Sequence, residues 1–231
     1  MATTAMAYSF KSEMMQSAHC FCATQSNVTC AGTNGAFTLT SLASTAGLAV
    51  GMAVSGTNVA SGAVIASIDS ASQVTVSKAH TGTVAAATFT GDAFKMLLIK
   101  VAPARTFDGS QTNIGTPGSG TPGVANVGTD ETSGTGYTTG GTALTNVTPS
   151  LAGTSTAITN FSPNPSWTSA TFSTTACVIY NNSTRLGAAA TPLNGRAVSV
   201  HDFGGTQTVA GGTFTVLMPT ADQNNAILRI A

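Results

Sequence analysis

Short apolar or β-branched runs, each closed by Gly, Asn or Ser, recur along almost the whole chain. Ala36–Thr40, Gly51–Gly56, Ala63–Asp69, Gln73–Ser77 and Ala86–Phe89 come first, and each is four to seven residues long. Helices need about ten or more residues of 3.6-residue periodicity, so runs this short and this rich in Val, Ile and Thr are predicted strands. Gly47, Gly51, Gly56, Gly62 and Gly82 fall between or at the ends of the runs, where turns often require positive φ. Residues 24–91 are therefore expected to form a small antiparallel β-module of about five strands. The longest apolar runs, such as Phe94–Ile99 and Leu186–Ala190, are far shorter than the ~20 residues of a spanning helix. No membrane span is expected.

Composition restricts the partners. Eight acidic and eight basic residues are the only formal charges in 231 positions, where an ordinary soluble domain has about a quarter charged. A nucleic-acid groove needs clustered Lys and Arg to neutralise phosphates, and no such cluster exists. A neutral, sparsely charged surface leaves a lone monomer poorly protected from association. The expectation is a β-protein whose surface is covered in an assembly. Met1–Phe10 has neither a basic nor an apolar run, so no secretory signal is expected. Cys20, Cys22, Cys30 and Cys177 are too few for a disulfide scaffold and are expected to stay thiols in a protein made in the cytoplasm. Sequons such as those at Asn27, Asn146, Asn181 and Asn182 are chance matches in a Ser/Thr-rich chain.

Around the module, residues 1–23 are expected to supply the one substantial helix, spanning Tyr8–Phe21 with Ser9 as N-cap. Residues 92–102 hold Phe94–Val101, a continuous apolar strand expected at the centre of a sheet. Residues 103–136 include Gly115–Gly123, where Gly and Pro exclude regular structure, and are expected to form an extended arm or long loop. Residues 137–231 complete the body, with strands expected at Thr142–Leu151, Ala157–Asn160, Ser166–Phe172, Ala176–Tyr180, Arg196–Phe203, Gly212–Met218 and Ala226–Ile230. Ala176–Tyr180 and Ala226–Ile230 read as core strands and Arg196–Phe203 as half-buried, with Gly204-Gly205 and Gly211-Gly212 as turns. The fold class is mainly β: an antiparallel sandwich or jelly-roll-like body with one short N-terminal helix and an inserted small β-module.

Several motifs carry the letters of known chemistry. His19-Cys20-Phe21-Cys22 with Cys30 offers zinc ligands, but Cys-x-Cys is tighter than the usual spacer and no second pair lies near; buried thiols are the simpler reading, with a Cys20–Cys30 or Cys22–Cys30 disulfide the lesser one. Asp202-Phe203-Gly204 matches the kinase magnesium motif alone, without its companions, and Asp202 is expected to cap a turn. Gly115–Gly123 lacks the Gly-Lys-Ser/Thr of a phosphate loop. No Gly-x-Ser-x-Gly elbow supports a serine triad. Asp130 and Glu131, the only adjacent acids, are expected in a solvated turn rather than as a glycosidase pair. Tyr137, Trp167 and Tyr180 offer a sugar-stacking platform, although strand aromatics more often lie in the core with one polar handle. No catalytic, cofactor-binding or metal residues are assigned, and an enzyme is not expected.

Gly134-Thr135-Gly136-Tyr137-Thr138-Thr139-Gly140-Gly141-Thr142-Ala143-Leu144 resembles a signature of small tailed-bacteriophage virion proteins. In those proteins it lies between a Ser-Phe-Lys-x-Glu-Met helix with a Phe-Lys-Met-x-Leu strand and a Trp strand, an Ile-Tyr-Asn strand and an Asp-Phe-Gly-Gly turn. Here the matching positions are Ser9–Met14, Phe94–Leu98, Tyr137–Gly141, Trp167, Ile179-Tyr180-Asn181 and Asp202–Gly205. The resemblance covers about Met6–Phe21 and Asp92–Ala231, and the block from Thr24 to Gly91 interrupts it as an insertion. It implies a virion structural protein assembled in the host bacterial cytoplasm. Within that class the expected role is capsid decoration, bridging major capsid subunits as a homo-oligomer, a trimer at shell symmetry positions. A head-fibre, neck or tail component is the alternative, and a carbohydrate-binding module for host-surface adhesion the rival of another class.

Overall fold

The computed structural model describes residues 2–184 and 192–230, so the run Leu186–Ala190 lies outside the described residues. The chain divides into two compact units. One is a body of Met1–His19, Ala93–Thr145 and Leu151–Ala231; the other is a module of Cys20–Asp92 with Asn146–Ser150. The elements in chain order are β1 (Ala5–Met6), α1 (Tyr8–Met15), β2 (Gln25–Gly32), β3 (Thr38–Leu39), β4 (Ala53–Ser55), β5 (Ala63–Ser70), β6 (Gln73–Val76), β7 (Val84–Thr90), β8 (Phe94–Ile99), β9 (Thr142–Leu144), β10 (Ser150–Ala152), β11 (Thr156–Thr159), β12 (Ser166–Asn181), β13 (Arg196–Thr215) and β14 (Leu228–Ile230). The fold is mainly antiparallel β with one short helix, as expected, and the body is sandwich-like.

The module is a closed barrel. Its six strands run in the order β2-β7-β4-β5-β6-β3, and Ala31 and Thr40 exchange backbone hydrogen bonds of 2.8 and 2.9 Å that join β3 back to β2. Closure removes free strand edges. Leu39, Met52, Val54, Ile65, Val74, Val76 and Phe89 fill the interior. The sequence reading of about five strands lacked β2, because Gln25–Gly32 offers only Val28 and Cys30 as apolar residues beside a single Ala. At the neck, the Asn146 amide donates to the carbonyls of Cys22 and Asp92 at 3.2 and 2.8 Å, and Thr148 Oγ1 accepts the Ala23 N–H. These bonds tie the ends of the module to the returning segment Asn146–Ser150. A Cβ at Gly91 would overlap the Cys22 carbonyl oxygen.

In the body, the main sheet runs β1-β13-β12-β8-β9 and a smaller one runs β10-β11-β14. β8 lies inside the main sheet, with five of its six residues buried, as a continuous apolar run requires. The predicted strands at Ser166–Phe172 and Ala176–Tyr180 are one long strand, β12. The predicted turns at Gly204-Gly205 and Gly211-Gly212 are instead irregularities within β13, where the register against β12 slips. A bulge absorbs the extra residues without ending the ladder. Ala197–Val200 are fully buried rather than half-buried, because β13 is paired on both sides there, by β12 and by β1. The core reading of Ala226–Ile230 holds for Ala226 and Leu228, which are buried, and is corrected for Arg229 and Ile230, which are exposed on β14 of the small sheet.

The helix ends at Met15, six residues earlier than predicted. Ser17 takes a left-handed φ of 53°, the Ala18 N–H bonds the Glu13 carbonyl and the Ser17 N–H bonds the Met14 carbonyl. This is a Schellman termination with Ser where Gly is usual. The N-cap is Ala7, not Ser9, and it makes no side-chain cap. Residues 103–136 are not an extended arm. Phe107, Gln111, Ile114 and Val127 are buried, and Ile114 N–H bonds the Gly195 carbonyl at 2.8 Å. The Arg105 guanidinium ties Gln111 and the Gly123 carbonyl together and lies over the Phe107 ring. The segment is a long loop folded onto its own unit.

Candidate functional site

Two histidines in the body have the partners from which catalytic sites are made. In the first cluster, Glu13 leaves α1 toward His19, with Oε2 2.7 Å from His19 Nε2. Asn181, at the end of β12, meets His19 Nδ1 at 3.0 Å, and Arg196, at the start of β13, reaches the other Glu13 oxygen at 3.1 Å. The amide N–H of Asn181 donates to Nδ1, which assigns the proton to Nε2 and directs it at Glu13. Both ring nitrogens are thus engaged, so neither is left to take a proton from a substrate. The arrangement fastens the helix terminus to the sheet. Nothing in the sequence announced it: Glu13 and Arg196 are 183 positions apart.

The second cluster sits on β12 and β13. Ser199 Oγ is 2.8 Å from His201 Nε2, and Cys177 is the register partner of His201. A cysteine–histidine pair works as a nucleophile when the thiol is lowered and the imidazole raised, so that the proton moves to nitrogen. Here burial does the reverse. It pushes the Cys177 thiol up to about 12 and His201 down to about 4. The proton stays on sulfur, and the imidazole stays neutral at physiological pH. Ser199 is itself 1 % exposed, out of a substrate's reach.

Asp130 and Glu131 overturn the expectation of a solvated turn, since both are buried. Asp130 accepts the backbone N–H groups of Ala104 and Arg105 at 2.9 and 3.1 Å, which folds the long loop. Glu131 Oε1 accepts the Tyr137 hydroxyl and the Gly140 N–H, each at 2.7 Å, while Oε2 has no partner among the described residues. Desolvation holds the Glu131 carboxyl above its ordinary value, although these bonds and Lys95 act in the other direction. Tyr180 donates to the Gly140 carbonyl at 2.7 Å, and burial with the nearby Glu131 pushes it up to about 12. The Gly134–Leu144 signature is thus a knot: one carboxylate and two phenols fix a turn over β8. At Gly141, φ is +72° and a Cβ would overlap the Met96 carbonyl oxygen, so only glycine fits.

The remaining motifs have structural places. Asp202 accepts the Gly204 N–H at 3.0 Å, the local bond read from sequence, here on an irregularity of β13 rather than on a turn. Trp167 and Tyr180 are buried, and Tyr137 packs against Trp167 and Phe172 with its hydroxyl on Glu131. These three present no stacking platform to solvent. Cys20, Cys22 and Cys30 are buried in the module core and form no disulfide, with Cys22 raised by its bond to Cys20 and by burial. Among the described residues no three His, Cys, Asp or Glu side chains converge as metal ligands.

The outer surface shows a different pattern. Four of the eight acids, Glu13, Asp92, Asp130 and Glu131, are buried, so the exposed surface carries even less charge than the composition implies. Large apolar side chains stand out of it: Met15 is 90 % exposed, Leu217 76 % and Leu151 68 %. From Phe203 to Ala221 no residue is charged. Beside this stretch a cleft of about 510 Å³ is lined by Met96, Cys177, His201, Phe203, Phe214 and Met218, among others.

Comparison with known protein families, with characterised proteins and with solved structures finds no match.

Proposed function

We propose that the protein is a contact protein of a bacteriophage particle, and specifically a capsid decoration protein that bridges major capsid subunits as a homo-oligomer. The observation that carries this reading is the surface: uncharged over long stretches, rich in Thr, Ser and Gly, and studded with exposed apolar side chains. Monomers rarely maintain such a surface. Repeated copies on a shell bury it, and many weak contacts sum through multivalency. The motifs shared with virion proteins support the same reading. The buried histidines and acids are engaged in holding loops and strand ends, which fits a protein whose chemistry is contact.

Quantitative mass spectrometry of purified particles tests the proposal. Hundreds of copies per particle are expected; tens or fewer would move the protein to a head fibre, neck or tail. Particles lacking the protein are expected to lose their DNA at a lower temperature. Heat-stable heads without tails would overturn the decoration role.

A further inference from the structure

The main sheet of the body ends in an edge that natural monomers usually protect. Beyond Asp202, β13 is paired only with β12: β1 meets it at Ser199 and Val200 alone. Gln207, Thr208, Val209 and Ala210 form the regular part of this stretch, opposite Thr174, Ser173, Phe172 and Thr171. Among the described residues their backbone makes no hydrogen bond except to β12. Outward N–H and C=O groups on an edge strand are a template for another strand, and native edges are blunted with Lys, Pro or inward-pointing charge. None of these occurs here. The only protection is the irregularity at each end of Gln207–Ala210.

We infer that this edge pairs with the same edge of a second copy, antiparallel about a two-fold axis near Thr208, with Leu217 of each copy seated at the other's cleft. The first argument is charge. An isologous contact sets each residue near its own copy or a close neighbour, so a single Lys or Glu would meet its like across the axis. The chain is free of charge from Phe203 to Ala221, and pairing centred on Thr208 sets Gln207 against Val209 and Thr206 against Ala210, all uncharged. The second argument is shape. The same surface carries a cleft lined by Phe203, Phe214 and Met218, and Leu217, 76 % exposed, stands in its wall with most of its side chain free to reach a second copy. The one titratable imidazole in that cleft, His201, is kept neutral by burial, so a Leu side chain entering it displaces no ion. Strand addition supplies backbone hydrogen bonds, and the pocket supplies selectivity. The inference rests on the reading of the protein as a contact protein, not on its position in a particle.

The test uses the isolated full chain in sedimentation-velocity experiments. The wild type is expected to dimerise. Thr208→Lys and Thr208→Glu are each expected to weaken the dimer about a hundredfold, and an equimolar mixture of the two is expected to form a heterodimer. Leu217→Ser should weaken the dimer about tenfold. Unchanged Trp167 fluorescence would establish that the variants fold. Amide exchange at 207–210 provides a measurement without variants, since these amides should gain protection as protein concentration rises. A monomeric wild type, an oligomer indifferent to both charges, or charge variants that fail to recombine would each overturn the inference. None of those results bears on copy number in particles. Conversely, a failed copy-number test with successful charge recombination would leave the edge standing and remove the capsid role.

Discussion

The two units solve the same problem in different ways. Both are antiparallel β-structures built from short strands, and both must satisfy backbone groups while burying few large side chains. The barrel closes on itself, so its ladder satisfies its own backbone, and its core sets the rings of Phe21, Phe89 and His80 among aliphatic side chains, Met52 and three cysteines. The body leaves its sheets open and carries long loops, and it spends three buried acids, Glu13, Asp130 and Glu131, on fastening them. Closure needs less charge: the barrel unit buries one acid, Asp92, whose carboxylate accepts the Cys20 N–H at 2.9 Å. Open sheets with long loops recruit more, because a buried carboxylate can hold several distant N–H and O–H donors at once.

The hardest test of this contrast is Gly141→Ala. A Cβ there collides with the Met96 backbone in a conformation that alanine disfavours, and β8 has no room to move. The expected cost exceeds about 4 kcal/mol, the range reserved for broken core geometry. Trp167 is the only tryptophan and lies in the body, so its fluorescence in a urea titration reads that unit alone. The body should lose its transition while the barrel amides keep their exchange protection.

Phe89→Ala is the reciprocal change. Removing a fully buried ring from the barrel is expected to cost about 3–5 kcal/mol. The four buried cysteines divide three to one between the units, with Cys20, Cys22 and Cys30 in the barrel and Cys177 in the body. Thiol labelling of the native variant should therefore accelerate at three sites and stay slow at the fourth. If Cys177 accelerates equally, the units unfold as one and the comparison breaks.

The same contrast explains what the sequence disclosed. Strands inside sheets were legible where apolar residues run continuously, as in β8 and Ala176–Tyr180, because burial on both faces leaves no alternation to misread. β2 was missed because barrel closure, a tertiary requirement, makes a strand of a polar Ser/Asn/Thr segment. β14 was only half legible: Leu228 is buried as an apolar run suggests, but the strand lies in the small sheet and leaves Ile230 exposed. Asp130 and Glu131 were read as solvated because their donors come from Ala104, Arg105, Tyr137 and Gly140, whose approach only the folded loop creates. Asp202 was read correctly since its partner is two residues away. Local hydrogen bonds can be read in a sequence; those that close long loops cannot.

A pH titration sharpens the comparison further. Burial lowers His201 from 6.5 to about 4 in the folded body. Between those values the unfolded chain binds the proton and the folded one does not, so stability is fully present above pH 6.5 and is lost as pH falls toward 4. The loss amounts to about 3 kcal/mol. Glu131 acts in the opposite sense, since its raised carboxyl is relieved by acidification. The difference between wild type and His201→Gln isolates the imidazole: the urea midpoint of the wild type, read by Trp167, should fall relative to that of the variant as pH falls from 6.5 to 4. Parallel curves would mean that the imidazole is protonated in the folded body.

The smallest expected effect separates two ways of holding a buried acid. Lys100 Nζ lies 3.7 Å from Asp130 Oδ1, with its own side chain 42 % exposed. Asp130 also accepts two backbone N–H groups from the loop. If the loop is held by the backbone donors, Lys100→Met should cost less than about 1 kcal/mol, because the half-exposed ammonium stands 3.7 Å off and bonds the Thr129 carbonyl instead. Asp130→Ala, which strands both N–H groups, should cost more, about 1–3 kcal/mol for each donor left unsatisfied. Equal losses in the two variants would make the cation the fastening. In that case the body would hold its loops by ion pairs, and the contrast with the barrel would be one of charge pairing rather than of backbone satisfaction.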